Sequence, residues 1–396
     1  MSQATRMKTI LTSASLLAAV ATCTTTNPGV EGTQSLRITL VTPADPGDLD
    51  HPLPDGERTI TVSIEALDEQ GEVDTSFDRD VDVYAQFLGG LTPQLGKPPL
   101  ATVPLVAGES GEVIVELPVT FGPTYLWFED GDEGPAQDGA STWATGTSPT
   151  LYYRAPFIED AQRPPDETAL SALDTSPLQD KQLSVIGSRH GLNGRLVISS
   201  IYAQGYTLDD VACQDADGTP PCVAGDYDHL LIFSFSRPRD DKGNTLEVGQ
   251  AITGFAGSVQ EFNGLTEIGF PQTFVEGAPD VDAARISPPV LVDPSWFVDT
   301  INFERNEAGL LEIADATVCP LDDAYTDFKQ WKLDLGSGCD DNSISVITSG
   351  TVTDFDPAAH VGDVLPSVVG TLRPVNIGTF NVWILFPRDG ADLTLS

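Results

Sequence analysis

Ile60-Thr61-Val62-Ser63-Ile64-Glu65 places Ile60, Val62 and Ile64 on one face of an extended chain and Thr61, Ser63 and Glu65 on the other. Apolar–polar alternation with a period of two marks a half-buried β-strand, because successive side chains of a strand point to opposite faces. The alternation continues in both directions. Leu36, Ile38 and Leu40 precede it. Val81, Val83 and Ala85 follow, then Val113, Val115 and Leu117, then Tyr125 to Phe128; Thr142 to Thr147 and Leu151 to Tyr153 close the set. About seven such strands, parted by Gly, Pro and Asp turns, predict a β-sandwich over residues 35–155.

Pro156 to Gln179 breaks this pattern. Pro164-Pro165-Asp166-Glu167 and Thr175-Ser176-Pro177 mark an exposed linker over 156–181, because proline has no N–H for a ladder and ends a helix. Beyond it a repeat begins. Val248-Gly249-Gln250 is followed by Gly257-Ser258-Val259, and Val361-Gly362-Asp363 by Gly370-Thr371-Leu372. A β series precedes each: Gly194 to Ile198, Gln204 to Asp210 and His229 to Phe233 in the first copy; Gly309 to Ala314, Phe328 to Leu333 and Ser343 to Ile347 in the second. Both copies, 182–290 and 303–396, read strand, strand, strand, V-G-x turn, strand, glycine bend, strand. With 36 Gly and 30 Pro in 396 residues and few sustained 3.6-residue periods, the expected fold class is all-β throughout.

Val62 to Val73 resembles the strand–turn–strand of bacterial immunoglobulin-like domains, whose A-x-D-x-x-G turn stands here as Ala66-Leu67-Asp68-Glu69-Gln70-Gly71. The resemblance implies an Ig-like sandwich at the N-terminal side. The order of the repeat resembles the OB-fold, a five-stranded Greek-key barrel. Val248-Gly249 and Gly257-Ser258-Val259-Gln260-Glu261-Phe262-Asn263-Gly264-Leu265-Thr266-Glu267-Ile268 look like the matching stretch of OB-like domains attached to bacterial extracellular nucleases. Glu307-Ala308-Gly309-Leu310-Leu311 resembles the opening strand of the second such domain. This implies two OB-like barrels, with Gly249 making a hairpin turn and Gly257 permitting the bend that closes a barrel. It also implies an alternative role, an accessory module in extracellular nucleic-acid processing. The nuclease domain itself has no counterpart, since three β-domains and linkers use the length.

Arg6 and Lys8 precede an uncharged apolar run from Ile10 to Ala21, too short to span a bilayer and of the form of a secretory leader over 1–22. Val20-Ala21-Thr22-Cys23 resembles the bacterial lipobox, which implies a lipid anchor on Cys23, a polar tether over 23–34, and a place at the outer membrane or cell surface. Ordinary cleavage nearby, leaving a soluble exported protein, is the alternative. The other four cysteines lie in local pairs, Cys213 with Cys222 and Cys319 with Cys339. Pairs of this kind fit disulfides in an oxidising compartment, and they leave Cys23 as the odd thiol. Zinc is the competing reading; it favours close Cys-x₂₋₄-Cys or His spacing, which neither pair has.

Twenty Lys and Arg against 59 Asp and Glu give a formal charge of −39. Such a surface repels phosphate backbones, so nucleic acid is disfavoured; beyond the membrane, the partner, protein or polysaccharide, is left open. Tyr202, Tyr206 and Phe233 are candidate stacking aromatics, but Asp209, Asp210, Asp215 and Asp217 oppose a phosphate chain. No G-x-S-x-G, H-E-x-x-H, Walker or Rossmann pattern occurs. His51, His190, His229 and His360 each stand apart, and the one compact group of possible ligands, Asp226-Tyr227-Asp228-His229, reads as turn residues before a strand. Calcium is the small-ligand candidate. Asp45, Asp48, Asp50, Asp55 and Glu57 crowd one loop, and Glu129, Asp130, Asp132 and Glu133 another, although the EF-hand order is missing. The expectation is a non-catalytic, lipid-anchored envelope protein serving adhesion, scaffolding or ligand binding; a calcium-dependent adhesive module is a further alternative.

Overall fold

The computed structural model describes residues 33–87, 98–130, 144–167, 175–336, 338–339, 343–377 and 380–395. Cys23 and Asp132, named above as anchor and calcium candidate, lie outside them, as does Glu133. The described chain is all-β, with helix confined to short segments.

The first domain carries β1 (Ser35–Thr42), β2 (Thr59–Leu67), β3 (Asp80–Phe87), β4 (Ala101–Pro104), β5 (Glu109–Glu116), β6 (Pro123–Asp130), β7 (Thr145–Thr147) and β8 (Leu151–Tyr152). One antiparallel sheet runs β1-β2-β5 and a second β4-β3-β6-β7, with β8 also on β6. Ile60, Val62 and Ile64 from one sheet and Val81, Val83, Leu126 and Phe128 from the other are buried in a single core. Fully burying such side chains contributes about 1.5–3 kcal/mol each, which fixes which face of each strand turns inward. The turn after β2 forms where the sequence places it. Asp68 Oδ1 accepts from Gln70 N (2.9 Å) and Glu72 N (3.0 Å), and Gly71 takes the left-handed backbone, φ 81°.

The segment expected to be an exposed linker is not wholly exposed. It contains α1 (Ile158–Gln162), and Ile158 and Ala161 are buried in the core of the next domain beside Leu178 and Leu183. Their i, i+3 spacing puts both on one helix face, which a five-residue helix is too short to advertise in sequence.

That next domain carries β9 (Gln182–Val185), β10 (Gly194–Tyr202), β11 (Gly205–Ala212), β12 (Val223–Phe233), β13 (Gln250–Ile252), β14 (Gly254–Phe262), β15 (Leu265–Phe274) and β16 (Asp280–Val281), in the order β16-β13-β10-β11-β12-β15-β14-β9. The last carries β17 (Val290–Leu291), α2 (Ile301–Arg305), β18 (Leu310–Val318), α3 (Asp323–Phe328), β19 (Trp331–Asp334), β20 (Ser343–Val346), β21 (Val364–Ile377), β22 (Phe380–Phe386) and β23 (Leu393–Thr394). Here β18, β19, β20, β22 and β21 form a ring, because β21 also pairs with β18; β20 and β22 are parallel. Val290-Leu291, ahead of the expected start at residue 303, pairs with β18.

The second and third domains share one register. Gly249 N donates to Ile198 O (2.8 Å) and Gly362 N to Val318 O (2.9 Å), both glycines at positive φ. Two residues on, Ala251 pairs with Val197 and Val364 with Thr317. Gly257 then pairs with Leu183 and Gly370 with Leu311. Thus β13 and β14 together match β21, and β9 and β10 together match β18. Between the matched residues Ile313 and Ala316 the second barrel has two residues; between Val185 and Leu196 the first has ten. The first opening strand therefore carries eight extra residues, and they include Arg189 and His190.

Cys213 and Cys222 are disulfide-bonded across the end of the β11–β12 hairpin, and Cys319 just after β18 is bonded to Cys339 before β20. The barrels meet along the outer face of β10 to β12. Tyr202 Oη donates to Thr371 Oγ1 (2.8 Å), Thr266 N to Glu307 Oε1 (2.9 Å), Asn376 N to Asn263 O (2.7 Å) and Arg388 Nη1 to Ser199 O (3.3 Å). Arg373 stacks its guanidinium on Tyr202 (3.9 Å) and Phe386 (4.8 Å).

Candidate functional site: two histidine–carboxylate clusters

Two neighbouring pairs in the sequence, Asp209-Asp210 and Asp228-His229, build two separate clusters. Strand alternation puts Asp209 and His229 on one face and Asp210 and Asp228 on the other, and a bulge opens beside them. Asp209 pairs with His229 and Val211 with Ala224, so the single residue Asp210 faces four, Gly225 to Asp228. Tyr227 takes φ 64° within this bulge, and bulges re-aim the side chains they carry.

The first cluster gathers on the eight-residue insertion. The ligand atoms of His190, Asp210 and Asp228 lie within 4.8 Å of one another. Arg189 Nε lies 2.7 Å from Asp228 Oδ1. Asp228 Oδ2 accepts from Arg189 Nη2 (2.9 Å) and Gly225 N (2.7 Å) and lies 3.2 Å from His190 Nε2. Arg189 also pairs with Glu159 of α1, so one guanidinium ties the insertion to both α1 and β12. Asp210 accepts from Arg189 N (2.9 Å), while its Oδ1 is buried without a hydrogen-bond partner.

Burial sets the electrostatics here. It pushes Asp210 up to about 6. Burial also pushes Asp228 upward, but the bonds from His190, Arg189 and Gly225 outweigh it and hold that carboxyl below its ordinary value. The hydrogen bond to Asp228 raises His190. One imidazole and two carboxylates are donors that divalent cations accept. Arg189, however, already neutralises Asp228, and a cation there would meet the guanidinium. The arrangement as built is a charge clamp on the insertion.

The second cluster lies on the face that meets the second barrel. His229 Nδ1 is 2.8 Å from Asp209 Oδ1, to which Ser199 Oγ also donates (3.1 Å); Thr207 Oγ1 is 3.0 Å from Ser199 Oγ. These are the residue types of a hydrolase triad in another order. In a triad the imidazole stands between serine and carboxylate and takes the serine proton. Here the carboxylate stands between the other two, and Ser199 bonds the carboxylate rather than the imidazole. All three residues are buried. Burial lowers His229, but the neighbouring Asp209 charge more than reverses this and raises it. The backbone of Gly309 lies so close that a Cβ there would come within 2.6 Å of the imidazole ring. Glu307, pushed well above its ordinary value by burial and by the charge of Glu304, completes the contact.

The other sequence candidates lie apart from these clusters. Asp45 and Asp48 brace the loop between β1 and β2: Asp45 accepts from Gly47 N (3.0 Å) and Asp48 Oδ1 from Asp50 N (2.8 Å) and His51 N (2.7 Å). Asp130 is buried against Arg79, 2.9 Å away. Sequence reasoning marked His190, Asp210 and Asp228 separately but missed their union, and it missed Arg189 altogether. No family model, curated protein or solved structure matches the chain.

Proposed function

We propose that the chain is a non-catalytic envelope protein, anchored by a lipid on Cys23, that holds a binding surface on a stiff stalk. It would comprise an Ig-like sandwich and two OB-like barrels. The barrel ring β18-β19-β20-β22-β21, with its parallel third and fifth strands, supports the OB reading. Two antiparallel sheets around one core support the Ig-like one, and two disulfides suit an oxidising compartment.

The observation that carries the role is the way the domains are fastened. Arg189 joins α1 to the first barrel, and the polar contacts of Tyr202, Ser199 and Thr266 join that barrel to the second. Ionisable groups that sequence alone would offer as chemistry are bonded to each other and hold elements together.

Membrane fractionation with intact-mass analysis tests the anchor. The wild-type protein should sediment with membranes and carry the added mass of acyl chains, and Cys23→Ala should appear in the soluble fraction. An unmodified wild-type mass in the soluble fraction would overturn the reading.

A further inference from the structure

Phe235 and Phe270 are bulky residues with left-handed backbone, φ 56° and 52°, and both are exposed, 56% and 71%. Left-handed φ is a genuine outlier for a side chain of this size. The strain at Phe270 has a visible cause. Ile268 is buried in the barrel core, so regular alternation would aim Phe270 inward as well. Instead Ala256 pairs with Gln272 and Ser258 with Gly269, so Gly257 alone faces Phe270-Pro271. That bulge turns the ring out to solvent. Gly257 makes room for it: a Cβ there would come within 2.8 Å of Gly269 O.

The two rings stand together. The Phe235 and Phe270 centroids are 5.2 Å apart at 43°, and Phe233 backs Phe235 edge-on at 4.6 Å. Two polar residues are near in the chain or on the neighbouring strand. The amide of Gln260 lies over Gly269, next to Phe270, and Arg237, two residues beyond Phe235, is exposed with no partner among the described residues. The second barrel holds the matching ring, Phe386 of Phe386-Pro387 opposite Gly370, but there Arg373 and Tyr202 cover it. The first barrel's ring has no such cover.

We infer that Phe235 and Phe270 form a binding platform for a neutral polysaccharide, one sugar ring stacking its C–H face on the phenyl rings while Arg237 and Gln260 bond its hydroxyls. Three features favour this ligand. The negative face of an aromatic ring attracts the slightly positive C–H groups of a pyranose. Two exposed rings are far smaller than the roughly 1,000 Å² that a stable protein interface needs. A formal charge of −39 disfavours polyanions. The proposal names a ligand for the binding role above and does not depend on the lipid anchor.

Native gels containing hydroxyethylcellulose, xylan or laminarin, with single-stranded DNA assayed alongside, test it. The protein should be retarded in at least one neutral gel. Phe235→Ala/Phe270→Ala should lower that affinity at least tenfold at an unchanged melting temperature, and Phe235→Tyr/Phe270→Tyr should retain it. Absence of retardation in all three gels, retardation unaffected by the alanine pair, or binding to DNA alone would overturn the platform. With membrane fractionation unchanged, each of those results would leave the anchored, non-catalytic reading standing.

Discussion

Tyr202 and Thr371, 169 residues apart, share a hydrogen bond of 2.8 Å that crosses from the first barrel to the second. Removing either partner should cost about 0.5–1.5 kcal/mol. A double-mutant cycle of Tyr202→Phe and Thr371→Val, read by urea denaturation, should return a coupling of that order, and the barrels should unfold in one transition. A coupling of zero would mean that the contact does not fasten them.

Arg189 neutralises the fully buried Asp228. Arg189→Gln leaves that carboxylate in the interior with weaker partners, a kind of change that costs about 3–5 kcal/mol. The urea midpoint should fall accordingly, and proteolysis should begin within residues 186–193. A midpoint shift below about 1 kcal/mol would assign the clamp no stabilising role.

Asp210 ionises near 6 in the fold against about 3.9 unfolded, so folding favours its protonated form. The stability it contributes is complete below pH 4 and is lost as pH rises through 6. His190, also raised, acts in the same direction, because its contribution fades as pH rises through its folded value. Asp210→Asn should therefore stabilise the protein at pH 8, by on the order of 1–3 kcal/mol, with the gain vanishing toward pH 4. Parallel melting curves across that range would refute the assignment.

Gly370 lies against the backbone of Phe386 and Pro387, where a Cβ would come within 2.7 Å. Gly370→Ala should cost about 1–3 kcal/mol, as overpacking does. Gly350, with nothing within 4 Å, should accept alanine without loss. Equal melting temperatures for the two variants would show that β21 does not depend on that close approach.

Cys319 and Cys339 close a loop 20 residues apart in sequence, and replacing both with serine should lower stability by roughly 3 kcal/mol. The effect should be larger than for the Cys213–Cys222 pair, which spans nine, because a longer loop restricts the unfolded chain more. Urea denaturation of the two serine pairs would show the order, and a reversed order would contradict it.

Much of this architecture was legible in the sequence because it depends on local rules. Alternation at Ile60, Val62 and Ile64 gave the strand and its inward face. The glycine pairs Gly249/Gly257 and Gly362/Gly370 marked equivalent places, since each needs a positive φ or a close approach. The clusters were less legible because long-range features build them. His190 and Asp228 are 38 residues apart, and they meet only because the opening strand is split and β12 bulges. Adjacent acids such as Asp209 and Asp210 fall on opposite faces of their strand, but nothing local says which residues each will meet. The insertion hid a strand as well: the first copy was expected from residue 182 with Gly194 opening its first strand, yet the register places Leu183 opposite Gly257.

The mixed character of the contact between the second and third domains has a bearing on folding. Arg388, which bonds Ser199 O, lies 189 residues beyond it, so the domain that carries Ser199 can be synthesised before its cover exists. Until then it shows Ser199, Thr207, Asp209 and His229, groups that water solvates well, beside the apolar Leu231 and Leu265. A wholly apolar face in the same place would invite aggregation; the four polar groups keep this one partly wettable until the later segment arrives.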